Sequence, residues 1–310
     1  MFSVLFPGQG SQSVGMAKEL HDNFDYVKQL FDEAEDTLHI SMRKLIFEGP
    51  KELLDQTENT QPAIFLVSYS IFNVIKNETT FDVSKANFFA GHSLGEYTAL
   101  ASTECLSFSQ TLKILKARGN AMQSAVPKGE GGMLAILGSD LIKIEKIIEE
   151  NKNKYKCFIA NDNSEGQVVA SGKINDIDKF ASDLKSNNIK NIKLPVSAPF
   201  HCNLMSKATE IMSKKIENLE FKNPKNILIS NVTGKEISDP ELIKNSLIKQ
   251  IESRVRWRES VLLMIAKGTN QFIEIGPGKV LSGLIKRIDK NVKVSAINTE
   301  EDIKLININE

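Results

Sequence analysis

The chain has 310 residues, enough to bury a substantial core in one or two domains. Its hydrophobic (41%) and charged (25%) fractions are those of a globular protein, and 39 basic side chains balance 39 acidic ones. Neutrality gives no field to draw nucleic acid or an anionic membrane, no apolar run is long enough to span a bilayer, and the opening MFSVLFPGQG lacks the basic and long apolar regions of a signal peptide, so a cytoplasmic protein is expected.

In chain order, residues 2–6 read as a short buried strand running into Pro7-Gly8-Gln9-Gly10-Ser11-Gln12. That loop lacks the glycine spacing and the Lys-Ser/Thr pair of a phosphate cradle, so a nucleotide site is not expected; what it offers is Gln9 and free backbone N–H groups between permissive glycines. Helical patterns follow over 23–38 and 52–56. A helix opening at Pro62, read as its first residue, continues over 63–75 with apolar residues nearly all round, the pattern of a buried helix. Phe88-Phe89-Ala90 ends a buried strand, and Glu96–Ala101 reads as a helix. Ser107 with Gln110 forms a capping box, opening a helix that stops at Pro127. Arg118 sits on the border of its apolar stripe, where an arginine ordinarily lays its stem along the core edge and keeps its head in water.

Residues 131–197 give strand 133–137, helix 139–150, strands 157–160 and 167–171 joined by a turn-rich 161–166, helix 175–186 and strand 189–194. The order β-α-β-β-α-β is the ferredoxin-like unit. Beyond it come a helix over 204–219, a strand at 226–230, a helix capped by Asp239-Pro240 and reaching Gln250, a helix over 257–266, a strand at 271–275, a helix over 279–288 and a last strand at 292–297. The expected fold is therefore α/β: a large domain (1–127 and 198–310) with a mostly parallel sheet covered on both faces, and an inserted ferredoxin-like small domain (128–197). Cys105, Cys157 and Cys202 are odd in number and form no C-x-x-C pair, as free thiols in a reducing compartment would.

Gly91-His92-Ser93-Leu94-Gly95 fits G-x-S-x-G in the strand–turn–helix setting of a nucleophile elbow, and the same motif also suits an ordinary glycine-bounded turn. Glycine is needed where strand and helix cross closely, and the helix N-terminus favours negative charge beside the hydroxyl. A serine needs a base. Of four histidines, His92 adjoins the serine and points away across the turn, while His21 and His39 lie in charged, exposed helical segments. His201, in a loop just after the small domain, is left as the candidate base, in the Ser-then-His order of α/β hydrolases.

Phe6-Pro7-Gly8-Gln9-Gly10-Ser11-Gln12, Asn59-Thr60-Gln61-Pro62-Ala63, Gly91–Tyr97, Arg118-Gly119, Gly166-Gln167-Val168-Val169, Pro199-Phe200-His201 and Glu274–Lys279 together resemble the malonyl-CoA:acyl-carrier-protein transacylase family, in its order and over nearly the whole chain. The resemblance implies an α/β-hydrolase-like large domain and an acyltransferase that carries malonyl from malonyl-CoA to acyl carrier protein for fatty acid synthesis; no cofactor and no metal are expected, and the sequence does not reveal the oligomeric state, a monomer being one expectation. It implies Ser93 as nucleophile, His201 as general base, the N–H groups of Gln9 and Leu94 as oxyanion hole, Arg118 as holder of the substrate carboxylate, and Gln250 as the residue whose main-chain carbonyl orients the histidine. Phe200 resembles the phenylalanine of members that favour malonyl over branched units. A hydrolase of the same fold would need a triad acid and would leave Arg118 without a purpose; a polyketide acyltransferase and a non-catalytic carrier-binding scaffold are the other readings. An acidic carrier calls for a basic rim near the cleft, for which Lys190, Lys193, Lys286 and Arg287 are the candidates.

Overall fold

A computed structural model of the chain describes residues 1–196 and 198–306. Ser197, at the expected domain boundary, lies outside the described residues. Ten strands are described: β1 (Phe2–Phe6), β2 (Phe88–Gly91), β3 (Gly131–Leu137), β4 (Cys157–Ser164), β5 (Gln167–Lys173), β6 (Lys190–Lys193), β7 (Ile227–Ile229), β8 (Glu236–Ile237), β9 (Gln271–Ile275) and β10 (Lys293–Ile297). They form two sheets. The first runs β10-β9-β1-β2-β7-β8, parallel throughout except for the short antiparallel β8. The second runs β4-β5-β3-β6 and is antiparallel, the strand order of a ferredoxin-like unit.

The central strands are apolar on both faces because both faces are covered. Val4, Phe6 and Phe89 face a core that includes Phe65, Phe72 and Leu66 of the helix Thr57–Glu78. Leu5, Phe88 and Ala90, alternating with them, face Trp257, Phe272 and Leu281. The small sheet packs Leu134, Ile136, Val168 and Ala170 against Ile144, Ile177, Phe180 and Leu184 of its two helices.

The β1–β2 register places Phe6 beside Gly91. The loop at 7–10 and the elbow at 91–95 therefore leave neighbouring carboxyl ends of parallel strands, where open α/β sheets place their ligands.

Most expected elements are present; three differ in extent or kind, and two others were not expected. The buried helix starts at Thr57, so Pro62 lies inside it; its missing N–H costs one helical bond in a helix held by burial on nearly every side. The 23–38 pattern is two helices, Lys18–Asn23 and Asp25–Leu38, divided at the extended Phe24. Residues 161–164 are strand, β4 running on to Ser164 with two register shifts. The helix Glu300–Ile306 and the strand β8 carry no signal that the periodicity revealed. All three cysteines are free and buried. No described helix is long and apolar enough to cross a membrane. Among the described residues no cluster of histidine, cysteine and carboxylate side chains could hold a metal ion.

Candidate active site

The elbow is built by close approach. A Cβ on Gly91 would fall 2.0 Å from the carbonyl of Gly95, and one on Gly95 would fall 2.3 Å from the carbonyl oxygen of Phe6, so only glycine fits either place. Between them Ser93 is driven to φ 55°, a left-handed conformation unfavourable for a side-chain-bearing residue. Asn231, just beyond β7, holds the strained turn: its Oδ1 accepts from the Ser93 N–H at 2.7 Å and its Nδ2 donates to the Gly91 carbonyl at 2.8 Å.

Ser93 Oγ lies 2.8 Å from His201 Nε2, and His201 Nδ1 lies 2.9 Å from the main-chain carbonyl of Gln250. A carbonyl only accepts, so Nδ1 carries the proton and Nε2 is left as the acceptor facing the hydroxyl. His201 is buried. Burial first, and the Arg118 charge second, pull its imidazole down to about 3, so it is neutral, with Nε2 free of a proton. His201 bonds to the serine and to that carbonyl, and no carboxylate of the described residues pairs with it.

Arg118 overturns the expectation of a snorkelling surface arginine. It is 1% exposed, and its guanidinium turns inward to Ser93. Nη2 donates to Ser93 Oγ at 3.1 Å and to Gln250 Oε1 at 2.8 Å; Nη1 donates to Gln61 Oε1 at 2.9 Å. Its central carbon lies 5.5 Å from the Tyr97 ring centroid, and Nε has no hydrogen-bond partner among the described residues. Local pattern could not reveal this, because the partners that replace water come from two other helices. A buried planar cation beside a nucleophile is suited to a carboxylate on the acyl group.

Gln250, the last residue of the helix Pro240–Gln250, does more than lend its carbonyl. Its Nε2 donates to the Ser93 carbonyl at 3.0 Å and to Glu96 Oε2 at 2.6 Å. Glu96 is buried, which lifts its carboxyl to about 7 against the opposing effects of Gln250, the Asn231 N–H and Arg118. Gln61, Glu96 and Asn231 are thus site residues that the sequence reading did not single out. The first two sit in quoted motifs, which was the available signal.

The backbone N–H groups of Gln9 and Leu94 have no partner among the described residues. The loop carrying Gln9 is pressed on the elbow, since a Cβ on Gly8 would fall 2.6 Å from the His92 carbonyl oxygen. A cleft of about 380 Å³ opens beside Gln9, lined also by Thr57, Glu58, Lys128 and Val196. A larger cavity of about 630 Å³, lined by Lys113, Ile114, Ile211 and Leu219, holds none of these residues. Phe200 is buried next to His201 in the chain. His92 points away from the hydroxyl, as expected, onto Asn163 Oδ1 at 2.8 Å. His21, expected to be exposed, is instead packed between Phe31 and Phe47 and accepts from Arg43.

Of the basic candidates, Arg287 donates to Gln167, whose strand partner Leu137 pairs in turn with Lys190, so these two share one end of the small sheet. Ser164, paired with Gln167, and Asn163 beside it bring that same end to the elbow. Lys193 lies further along β6 and is paired with Asp178; Lys286 is exposed on the helix Val280–Ile288.

The model of the acyl transferase domain family matches residues 4–302. A malonyl CoA-acyl carrier protein transacylase of Bacillus subtilis (strain 168) is 41% identical over 305 residues, covering 98% of this chain and 95% of that protein. The protein of the same name from Staphylococcus aureus (strain MRSA252) is 39% identical over 310 residues, 99% of each. Among solved structures, an acyl-carrier-protein-S-malonyltransferase from Bartonella henselae has a TM-score of 0.95 at 40% identity, with 98% of each chain covered. A malonyl-transacylase in complex with a type II polyketide synthase acyl-carrier protein has a TM-score of 0.95 at 36% identity, covering 100% of this chain and 99% of that one.

Proposed function

Because the chain belongs to the acyl transferase family, and within it to the malonyl CoA-acyl carrier protein transacylases, we propose that it moves malonyl from malonyl-CoA to the phosphopantetheine thiol of an acyl carrier protein through a malonyl-serine intermediate. The supporting observation is Arg118: a buried guanidinium held 3.1 Å from the hydroxyl of an activated serine.

In the first half-reaction, Ser93 Oγ attacks the thioester carbonyl as His201 Nε2 takes its proton. The oxyanion is met by the N–H groups of Leu94 and Gln9, each such donor being worth about 3–4 kcal/mol. Collapse breaks the C–S bond, and the coenzyme A thiolate takes the proton back from His201. The second half-reaction reverses the order: His201 deprotonates the carrier thiol, sulfur attacks the ester, and Ser93 leaves and is reprotonated. The substrate carboxylate sits on Arg118. By cancelling the charge that helps hold His201 down, it strengthens the base when the right acyl group is bound.

The same reading makes 128–197 the small domain and 1–127 with 198–310 the large one, and places a cytoplasmic monomer without cofactor in fatty acid synthesis. Lys190 and Arg287 would form the carrier rim, and their reversal to glutamate would raise the apparent KM for the carrier. A hydrolase is disfavoured by the carbonyl, rather than carboxylate, behind His201.

Intact-mass analysis after exposure to malonyl-CoA tests the scheme. A malonyl adduct should form, persist in buffer and discharge on addition of carrier protein, and Ser93→Ala should show none. Rapid loss of the adduct to water without carrier would favour the hydrolase. An unlabelled wild-type protein, or a Ser93→Ala variant that still transfers, would overturn the assignment. A panel of fatty-acid and polyketide carriers separates those two routes.

A further inference from the structure

We propose that Glu96 is a positioning residue, which fixes the way round the Gln250 amide sits and through it aims Arg118 at the acyl group on Ser93. The inference rests on the transferase reading above and adds a residue to its machinery.

Glu96 lies in the first turn of the helix Gly95–Ser102, buried, and forms no salt bridge among the described residues. A buried carboxylate without an ion pair is uncommon and must be satisfied by other donors. Here both donors are amides: Gln250 Nε2 at 2.6 Å and the Asn231 N–H at 3.3 Å.

The two ends of a glutamine amide are alike in shape, and partners decide which end points where. Gln250 lies between Glu96 Oε2, an acceptor that also takes the Asn231 N–H, and Arg118, which only donates. Only one orientation satisfies both. Nε2 turns to Glu96 and to the Ser93 carbonyl, leaving Oε1 to receive Arg118 Nη2. Reversal would set an NH2 against a guanidinium. The other guanidinium nitrogen rests on Gln61, so a shift at Gln250 swings the fork about that contact and away from Ser93. The His201 contact is made by the Gln250 main chain and does not depend on which way the side-chain amide lies. The effect of Glu96 therefore falls on recognition of the carboxylated acyl group, not on the serine–histidine pair.

The test compares wild type, Glu96→Gln, Glu96→Ala and Glu96→Met, the last filling the space without an acceptor and covering the chance that the alanine variant does not fold. Glu96→Gln keeps an acceptor for Gln250 and should load malonyl with a KM within about threefold of wild type, whereas the acceptor-free variants should raise that KM by about 10- to 100-fold. Their malonyl-to-acetyl preference should fall by a similar factor, with kcat for acetyl-CoA little changed. Independently of any substrate, the Gln250 side-chain amide protons, followed by NMR, should exchange slowly in wild type and Glu96→Gln and fast in the other two. Equal amide exchange in all four proteins, or equal loss of malonyl and acetyl loading in the acceptor-free variants, overturns the proposal. A wild type that takes no malonyl fails the transferase reading instead, and the exchange data still decide what Glu96 does to Gln250.

Discussion

His201 and Gln250 meet through the main chain: the imidazole Nδ1 donates to the Gln250 carbonyl at 2.9 Å, while the Gln250 side chain is engaged elsewhere, with Arg118, Glu96 and the Ser93 carbonyl. One residue thus serves two purposes that substitution can separate. Gln250→Ala keeps the carbonyl and the histidine tautomer but removes the acceptor that steadies Arg118. Acetyl-CoA loading should stay near the wild-type rate, while the preference for malonyl-CoA falls by about 10-fold or more, the loss of one hydrogen bond to a charged group. Single-turnover loading with each coenzyme A ester measures both. An equal collapse with both esters would mean that the side chain also supports the base.

Ser93 carries φ 55° because Asn231 and the glycine crossing leave no alternative. Such a conformation costs a non-glycine residue about 1–2 kcal/mol. Ser93→Gly should relieve it, offset in part by greater freedom of the unfolded chain, and should unfold at higher urea by about 0.5–1 kcal/mol while losing all acyl loading. Urea titration beside intact-mass analysis checks the pair of outcomes. A less stable glycine variant would show that the contacts of Oγ outweigh the strain.

The sheet, most helices and the elbow were legible in the sequence because they rest on local periodicity, capping and turn chemistry. The ends of the active site were legible for a different reason: with so few histidines, His201 was singled out by scarcity. What local pattern could not show was the fate of polar groups satisfied from afar. Arg118 reads as a surface residue until Gln61 and Gln250, 57 and 132 positions away, are seen to replace its water. Asn161, Asp162, Asn163 and Ser164 read as a turn because such side chains usually bond their own backbone. Here Asp162 and Asn163 are claimed by Arg258 and His92, and the Asp162 N–H by the Val255 carbonyl, so the segment stays extended. Glu96 stood in view in the motif, and its role came only with Asn231 and Gln250 beside it.

Two buried groups pull stability in opposite directions with pH. His201 is held down to about 3, below its unfolded value of 6.5, so its contribution is present above 6.5 and is lost as pH falls toward 3. Glu96 is lifted to about 7 from 4.5, chiefly by burial, so its contribution is present below 4.5 and is lost as pH rises through 7. Glu96→Gln removes the second dependence only. Its stability relative to wild type should climb between pH 4.5 and 7, by on the order of 3 kcal/mol, and stay level above and below that window. Urea unfolding at half-unit pH steps measures it; a flat difference would mean that the carboxyl titrates normally.

The small sheet is fastened along β4 to Val255 and to the helix Trp257–Ala266, whose Trp257 packs in the core with Leu5 and Phe88 of the large sheet. Asp162 N–H donates to the Val255 carbonyl at 3.0 Å, the Val255 N–H donates to Ala160 at 2.8 Å, and Arg258 grips the Asp162 carboxylate with both Nε and Nη2 at 3.0–3.1 Å. The Asp162 side chain has no exposed surface, whereas that of Arg258 is 31% exposed, and among the described residues Arg258 is the one cation paired with this buried charge. Arg258→Met should therefore destabilise by about 3 kcal/mol, the cost of an unpaired buried carboxylate. The paired change Arg258→Met with Asp162→Asn should recover most of it. Because Asn163, next in the chain, bonds to His92 of the elbow, the single variant should also slow malonyl loading before it lowers the melting temperature of the rest. Calorimetry together with single-turnover loading checks this order. Full activity in a protein with a weakened melting transition would show that the fastening serves stability alone.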